Sequence, residues 1–378
     1  MHNQKMTNIF NIFKKNLYDQ YKILDYSLNP AYRNKSIASK SKFKIYSELI
    51  KWYYKYGERN KMYFAWGLNE QGKSLSDYIS KKEFLKIKSK AERHLLKINN
   101  IILLNYDVVT KDKFVANSFL SANNIPCIPH YGIVIRGQFY PTDNSDIDNL
   151  DLLLDKEEGL VFKNTTLEFS EGFILYQKRD DDIFMNGKEN SLSELKKILG
   201  SGVWLVQKKI SSHKALRIIN NSALNTTRIV TIRDKNRPVY LTGFQAFARG
   251  AAVTDSGSDG SIYVGVDIEK ECLKEYGLYN TGDPVCTFLN EHPDSGITFK
   301  DYKIPFLKEA IQLCIKAHNL LYNNFIIGWD VAITDDGPVI VEANEKPGLN
   351  VVQSLDGGCR KKILNCYQNI VSKGENLP

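Results

Sequence analysis

The sequence has no apolar run long enough to cross a membrane, and its six cysteines form no CxxC pair. The longest apolar stretches, at residues 98–104 and 325–329, fall well short of the roughly 20 residues that a membrane span requires. The cysteines also lack histidine partners at metal-ligand spacing, which argues against a zinc site and a disulfide framework. Residues 1–15 place polar residues before a short apolar patch and lack a small-residue cleavage site, so we expect no secretory signal and a cytoplasmic protein.

The charges are distributed unevenly along the chain. Through residue 110 the sequence has 21 Lys and Arg against 9 Asp and Glu, whereas the remainder has 30 against 34. A basic front of this kind suits an anionic membrane surface, an acidic glycan or nucleic acid, and Lys-rich solvated helices produce the same count. We expect no nucleic-acid partner, and peripheral contact at the inner face of the membrane stays open as an alternative. We expect one helix to expose a lysine-rich face to solvent, formed by Lys81, Lys82, Lys86, Lys88 and Lys90.

The residue pattern divides the chain into three regions without internal repeats or low-complexity linkers. Residues 1–105 are basic and mostly helical in their apolar spacing. Residues 106–158 combine a helix with a hairpin around Arg136 and Gly137, in a small α/β subdomain or linker. Residues 159–378 hold helices at 192–199 and 306–321 and predicted strands at 160–163, 173–177, 203–210, 228–233, 239–247 and 262–267. The predicted class is α+β with mainly antiparallel sheets.

A predicted hairpin at residues 325–344 carries the strongest chemical signal. Its two apolar strands flank an Asp-Asp-Gly turn at residues 335–337. If the turn has three residues, Asp330 lies directly opposite Glu342, and side-chain alternation places Asn344 on the same face. Opposed carboxylates repel in a bare hairpin, and a divalent cation removes that repulsion. Oxygen-only ligands favour Mg²⁺ or Mn²⁺, whereas a shifted register would leave two solvent-exposed carboxylates.

This hairpin resembles the metal-binding end of ATP-grasp ligases, which have an aspartate, then Glu-x-Asn about a dozen residues later, then Pro-Gly. Asp330, Glu342, Asn344 and the Pro347-Gly348 pair supply that pattern here. More closely, most of the chain resembles the sugar-transfer-associated ATP-grasp proteins found near bacterial surface-polysaccharide genes, through residues 224–231, 291–296 and 327–338. The resemblance implies an ATP-grasp fold, in which two α+β subdomains hold ATP between them, with Mg²⁺ or Mn²⁺ as the metal.

The same resemblance implies which residues meet the phosphates. Lys113 opens a helix and Lys163 ends a strand, at the two places where lysines usually touch ATP. Arg228 stands where a planar guanidinium contacts a phosphate or an acyl phosphate, so Arg228 and Lys163 are the predicted catalytic residues. A cross-strand ion pair is the alternative for Arg228. The segment at 164–172, where the family has a glycine-rich loop, contains one glycine, so its closure over ATP is predicted to differ.

Two further groups of residues are implied by the resemblance. The adenine edge is expected to meet the Gln207 side chain and the backbone of Lys208 and Ile210, because backbone contacts do not depend on side-chain identity. Contacts to the acceptor substrate, with a structural role as the alternative for each, are predicted for His213, Arg249 and His292.

The implied reaction is phosphorylation of a carboxylate by ATP, followed by displacement with an amine to form an amide or peptide-like bond. The substrates would be small-molecule or glycan-precursor carboxylates and amines. A kinase acting on a hydroxyl could use the same metal and nucleotide site, and a non-catalytic nucleotide-binding scaffold is a third reading. The complete set of Asp330, Glu342 and Asn344 argues against the scaffold.

Overall fold

The computed structural model describes residues 2–29, 38–98, 107–142, 149–166, 172–180, 182–256, 260–279 and 286–372. These residues form two seven-stranded antiparallel sheets with helices around them, which confirms the predicted α+β class. The helices are α1 (His2–Leu28), α2 (Lys42–Tyr56), α3 (Lys81–Ile98), α4 (Asp107–Lys111), α5 (Lys113–Ala122), α6 (Leu150–Lys156), α7 (Leu192–Leu199), α8 (Lys214–Arg217), α9 (Leu307–Leu320), α10 (Leu349–Asp356) and α11 (Arg360–Val371). Within the described part of the chain, no helix has the length and apolar content that a membrane crossing requires.

The strands are β1 (His130–Ile135), β2 (Gln138–Pro141), β3 (Gly159–Asn164), β4 (Phe173–Arg179), β5 (Asp182–Met185), β6 (Lys188–Asn190), β7 (Val203–Lys208), β8 (Thr226–Asp234), β9 (Arg237–Phe247), β10 (Ile262–Asp267), β11 (Cys272–Tyr279), β12 (Thr287–Leu289), β13 (Ile326–Thr334) and β14 (Gly337–Asn344). All six strands predicted between residues 160 and 267 are present. The strand-like runs of the sequence therefore predicted this part of the fold correctly.

The first sheet has the strand order β2-β1-β7-β3-β4-β5-β6. β1 and β2 form the predicted hairpin, and its turn residues Arg136 and Gly137 adopt left-handed φ values of 49° and 83°. The helix α7 packs on this sheet, and it begins where the Ser191 hydroxyl accepts a hydrogen bond from the Glu194 backbone N–H. The sheet joins strands from both sides of the boundary predicted at residues 158 and 159, and the domain division itself stays a prediction.

The second sheet has the order β12-β11-β10-β9-β8-β13-β14. The odd-numbered β13 side chains, including Trp329, pack into a core with α9. Beneath β13, Trp329 Nε1 donates to Thr231 Oγ1 at 2.8 Å, and His318 Nε2 donates to the Asn324 carbonyl at 3.0 Å. His318 Nδ1 then accepts the Thr231 hydroxyl proton at 2.7 Å. This buried chain of hydrogen bonds holds β8 and β13 together from the side opposite their charged face.

The basic N-terminal region packs against the second sheet through α3, which shares an apolar core with α10 and α11. The Arg360 guanidinium donates to both carboxylate oxygens of Glu83, with Nη2 to Oε1 at 2.8 Å. The Gln353 amide bonds to the backbone N–H and carbonyl of Ile79 at 2.8 and 3.1 Å. The helical pattern predicted for this region is interrupted between α2 and α3 by turns and a short 3₁₀-helix at Leu75–Asp77.

Candidate active site

The carboxylate hairpin forms the β14 edge of the second sheet. Asp330 lies directly opposite Glu342, as predicted, but the turn differs from the predicted one. Thr334 pairs with Gly337, so the turn has two central residues, and a β-bulge between Asp330 and Val331 then shifts the register by one. The bulge therefore restores the pairing that a three-residue turn would have produced.

The bulge also determines which β14 side chains face the apolar core and which face away from it. Ile340 and Ala343 both face the apolar core although three positions separate them, because one extra residue lies between them. Asp330, Glu342 and Asn344 all line a cleft of about 1730 Å³ on the opposite side. α3, α5, β3 and β4 also contribute residues to the cleft wall. The predicted shared face of the three oxygen ligands is present.

Arg228 of β8 is the cross-strand neighbour of Asp330 and binds its carboxylate with two donors. Nε donates to Oδ1, and Nη2 donates to Oδ2 at 2.9 Å, which makes the pair bidentate. Nη1 donates to the Pro347 carbonyl at 3.3 Å. Pro347 can approach this closely because Gly328 has no side chain, and a Cβ on Gly328 would lie 2.8 Å from the Pro347 Cα. The guanidinium is thus held between the hairpin and the Pro-Gly segment.

The donor set of the hairpin fits a divalent cation. Among the described residues, Glu342 has no hydrogen-bond or salt-bridge partner although it lies opposite another carboxylate. Asn344 Nδ2 donates to Asp330 Oδ2 at 3.2 Å, and a half-turn of the amide would present its oxygen instead. Three His, Cys, Asp or Glu side chains do not meet at one metal-binding point within the described ranges. A cation here would be held by two carboxylates and an amide oxygen, a set that suits Mg²⁺ or Mn²⁺.

Two lysines enter the same cleft from different elements. Lys163 belongs to β3 and Lys113 opens α5, where the Lys113 backbone N–H donates to the Thr165 carbonyl at 2.9 Å. Burial lowers the pKa of Lys163, the charge of Glu342 raises it, and the charge of Lys113 lowers it. Two cations this close together and partly desolvated repel each other, and an anionic ligand between them relieves that repulsion.

The glycine-poor segment after β3 begins and ends at a backbone contact. The Asn164 backbone N–H donates to the Gly172 carbonyl at 2.8 Å, so the two ends of the segment are adjacent. The predicted closure of this segment over ATP concerns residues 167–171, which lie outside the described residues.

Sequence reasoning missed Asp255, which lines the same cleft. Its Oδ2 atom accepts hydrogen bonds from the Thr226 backbone N–H and hydroxyl, each at 2.6 Å. Burial raises the pKa of Asp255 to about 6, and the charge of Asp330 also raises it. The hydrogen bonds from Thr226 lower this pKa and only partly offset that rise. No local pattern marks this aspartate, because only the fold brings the segment after β9 beside β8.

A group of charged residues connects the end of the hairpin to the N-terminal region. The Glu345 carboxylate lies 3.8 Å from Lys88, 3.7 Å from Lys111 and 3.3 Å from Lys346. Lys88 also lies 2.8 Å from Glu92 and is only 6% exposed. The expectation that Lys88 belongs to a solvated lysine face is therefore wrong, because the Lys88 side chain is buried and its ammonium group pairs with Glu92 and Glu345.

The sequence model of the family described as sugar-transfer associated ATP-grasp matches residues 92–366. The chain belongs to this family. The match spans both sheets and the cleft residues from Lys113 to Asn344, and it confirms the ATP-grasp resemblance seen in the sequence.

Several solved synthetases and ligases are similar to this ATP-grasp chain at low identity. N5-carboxyaminoimidazole ribonucleotide synthetase in its ADP complex is 12% identical with a TM-score of 0.36, over 62% of this chain and 45% of that one. The D-alanine–D-alanine ligase of Bacillus anthracis is 16% identical with a TM-score of 0.36, over 70% and 66%. That of Coxiella burnetii is 11% identical with a TM-score of 0.40, over 76% and 67%. The chain thus spans between about half and two thirds of their lengths, and likenesses at this level assign no activity. No curated protein gives a significant match.

The residues predicted to meet adenine lie at and after the end of β7, outside the described lining of the cleft. Gln207 is 1% exposed, and its Oε1 has no hydrogen-bond partner among the described residues. The Lys208 backbone N–H donates to the Pro129 carbonyl at 2.9 Å, so this donor is already used within the protein. Contact between adenine and Gln207, Lys208 or Ile210 stays a prediction.

The three predicted substrate contacts also lie outside the described lining of the cleft. His213 caps α8 by accepting from the Ala215 backbone N–H, and its Nε2 lies 3.8 Å from Asp335 at the hairpin turn. The Arg249 guanidinium lies 4.7 Å from the centre of the Tyr279 ring. His292 is fully buried, with Nε2 3.0 Å from the Ala248 carbonyl and Nδ1 accepting from the Asp294 backbone at 3.3 Å. Contact between these three residues and the acceptor substrate stays a prediction, with a structural role as the alternative for each.

Proposed function

We propose that the chain is an ATP-dependent ligase that activates a carboxylate as an acyl phosphate and joins it to an amine. The observation that supports this most directly is that Lys113, Lys163 and Arg228 converge on the cleft that also contains Asp330 and Glu342. Cations from three separate elements beside an opposed pair of carboxylates suit a polyphosphate bound together with a divalent cation. Membership in the ATP-grasp family supports the same proposal.

The side chains of the cleft have distinct uses in this reaction. Lys113 and Lys163 bind the phosphates, and Arg228 neutralises charge on the γ-phosphoryl as a substrate carboxylate oxygen attacks it. The bond from the γ-phosphorus to ADP breaks, and the acyl phosphate forms. The amine nitrogen then bonds to the acyl carbon, phosphate leaves with the electrons of the broken carbon–oxygen bond, and the nitrogen loses its extra protons. A cation held by Asp330, Glu342 and Asn344 would supply further neutralisation of the phosphate charge.

The substrates that we propose are small-molecule or glycan-precursor carboxylates and amines, used in the modification of surface polysaccharide in the cytoplasm. The family description as sugar-transfer associated supports the glycan assignment. The net positive charge of the N-terminal region supports an anionic substrate, because a basic surface raises the local concentration of anions.

A release assay tests this proposal. The full chain is incubated with ATP and Mg²⁺ across panels of uronic acids, nucleotide sugars, amino acids and amines, with and without hydroxylamine. A ligase releases ADP and phosphate only with its carboxylate, and hydroxylamine converts the acyl phosphate to a hydroxamate. A stable phosphorylated product, formed with ADP but with neither hydroxamate nor free phosphate, would instead show a kinase. ATP binding without turnover on any panel would show a scaffold.

A further inference from the structure

Asp255 is a carboxylate of the cleft that the reaction described so far does not use. Among the described residues it forms no salt bridge, in contrast to Asp330 with Arg228 and Glu345 with its lysines. Its Oδ2 atom is held by the two Thr226 bonds at 2.6 Å. Apart from Thr226 and its own backbone N–H, Asp255 has no hydrogen-bond partner among the described residues, so this carboxylate has acceptor capacity left in a cleft open to ligands.

The position of Asp255 relative to Arg228 follows from β8. Thr226 and Arg228 are two residues apart on this strand, so their side chains project to the same face about 7 Å apart. The charges of Glu342, Asp330 and Asp255 all raise the pKa of Lys163, which places this ammonium group near all three carboxylates. Asp255, which is bonded to Thr226, therefore lies on the same face of the sheet as the Arg228 guanidinium that would hold the acyl phosphate.

The charge of Asp255 narrows the chemical class of its ligand. Asp255 attracts Lys163 but forms no salt bridge with a described residue. A carboxylate without such a direct cationic partner is unfavourable beside a site for polyphosphate, because like charges repel most strongly where solvent is partly excluded. A positively charged ligand group reverses that cost. The proposed reaction has two positively charged groups, the divalent cation and the ammonium form of the acceptor amine. Asp330, Glu342 and Asn344 already provide ligands for the cation, which leaves the ammonium group for Asp255.

We propose that Asp255, positioned by Thr226, is the acceptor subsite: it binds the ammonium group of a primary amine and accepts the proton that the nitrogen must lose before attack. This inference rests on the proposed ligase function and names the recognition group for its second substrate. One N–H proton passes to the Asp255 carboxylate, and the freed electron pair forms the bond to the acyl carbon. The bond from that carbon to the phosphate oxygen breaks, and the second proton leaves the nitrogen with the departing phosphate.

The environment of Asp255 suits this role. Burial raises its pKa to about 6, so it is ionised at neutral pH and is a stronger base than a solvated carboxylate. The alternative role is structural, with the Thr226 bonds anchoring the segment after β9. Asp255→Asn separates the two roles, because the amide oxygen still accepts both Thr226 bonds while the negative charge is lost.

The experiment compares two nucleophiles on the full chain, with ATP, Mg²⁺ and the carboxylate that wild type converts to a hydroxamate. Hydroxylamine is largely uncharged at neutral pH and needs no ammonium site, whereas a primary alkylamine arrives protonated. For Asp255→Asn we expect hydroxamate formation within about threefold of wild type and a loss of kcat/KM for the alkylamine of about 100-fold or more. ATP affinity is expected to stay equal or rise, because a negative charge has been removed.

A matched control is Glu345→Gln, which removes a negative charge from the lining of the same cleft but from a residue already paired with lysines. Its ratio of amine to hydroxylamine turnover should match that of wild type. An equal loss with both nucleophiles in Asp255→Asn, or unchanged amine kinetics, would overturn the acceptor subsite. Absence of hydroxamate from wild type with every carboxylate would overturn the ligase itself, so the two failures are distinguishable.

Discussion

Replacing Asp330 should destabilise the protein, whereas replacing Glu342 should not, although both are proposed metal ligands. Asp330 accepts two charged donors from Arg228, whereas Glu342 has no hydrogen-bond or salt-bridge partner among the described residues and lies across from Asp330. Asp330→Asn leaves the guanidinium without its counter-charge. Glu342→Gln removes the repulsion between Glu342 and Asp330 together with a longer-range attraction to Lys163, but it breaks no hydrogen bond or salt bridge to a described residue.

The magnitudes follow from exposure and bond type. Hydrogen bonds to charged groups contribute about 1.5–3 kcal/mol, and the amide in Asp330→Asn keeps one acceptor. The Arg228 and Asp330 side chains are 21% and 17% exposed, so solvent weakens the pair and we expect a net loss of about 1–2 kcal/mol. Glu342→Gln should be neutral or stabilise by up to about 1 kcal/mol. With an unfolding entropy of about 2.1 cal/mol/K per residue over 378 residues, Asp330→Asn lowers Tm by about 1–3 °C.

The assay is thermal unfolding in metal-free buffer, repeated with ADP and Mg²⁺. Both variants should lose most of the Tm increase that ligand produces in wild type, since each lacks a metal ligand. Asp335→Asn is the matched control on the same hairpin, because Asp335 is 50% exposed and pairs with Arg217 at the turn. It should keep the full ligand response. If Glu342→Gln destabilised the metal-free protein as much as Asp330→Asn, the different roles assigned to the two carboxylates would be wrong.

Three other outcomes are expected. Gly328→Ala should destabilise by about 1–3 kcal/mol in urea unfolding and lower ATP turnover, because its Cβ would lie 2.8 Å from Pro347; unchanged values would contradict the close approach. Burial lowers the pKa of His318 from 6.5 to about 3, so stability should fall by up to about 1.4 kcal/mol per pH unit as pH drops through that range. His318→Asn should make stability depend less steeply on pH in this range, and an unchanged slope of unfolding free energy against pH would contradict the role of His318. Lys163→Met and Lys113→Met should each weaken ATP binding at least about tenfold by calorimetry without lowering Tm, and equal affinity would remove them from the phosphate site.

The local parts of the fold could be predicted because they depend on neighbouring residues. The strand β8, for example, is a run rich in Ile, Val and Thr that is buried on both faces, with Ile229 in one apolar core and Val230 and Ile232 in another. The turn at Arg136 and Gly137 was also recognisable, because glycine tolerates the positive φ that this hairpin needs. The hairpin of Asp330 and Glu342 brings its ligands together within a short segment, and the predicted shared face is present because the bulge compensates for a turn one residue shorter than predicted.

The sequence by itself determined the strand pattern, the carboxylate hairpin and the family, since each depends on residue types at short spacing. Tertiary structure decided that Arg228 holds Asp330, that Lys88 is buried beside Glu345, and that Asp255 enters the cleft. It also gave the hairpin a turn of two residues instead of the predicted three, and a bulge restores the pairing of Asp330 with Glu342. These features join segments far apart in the chain, and such contacts follow from how the sheets and helices pack rather than from any local preference.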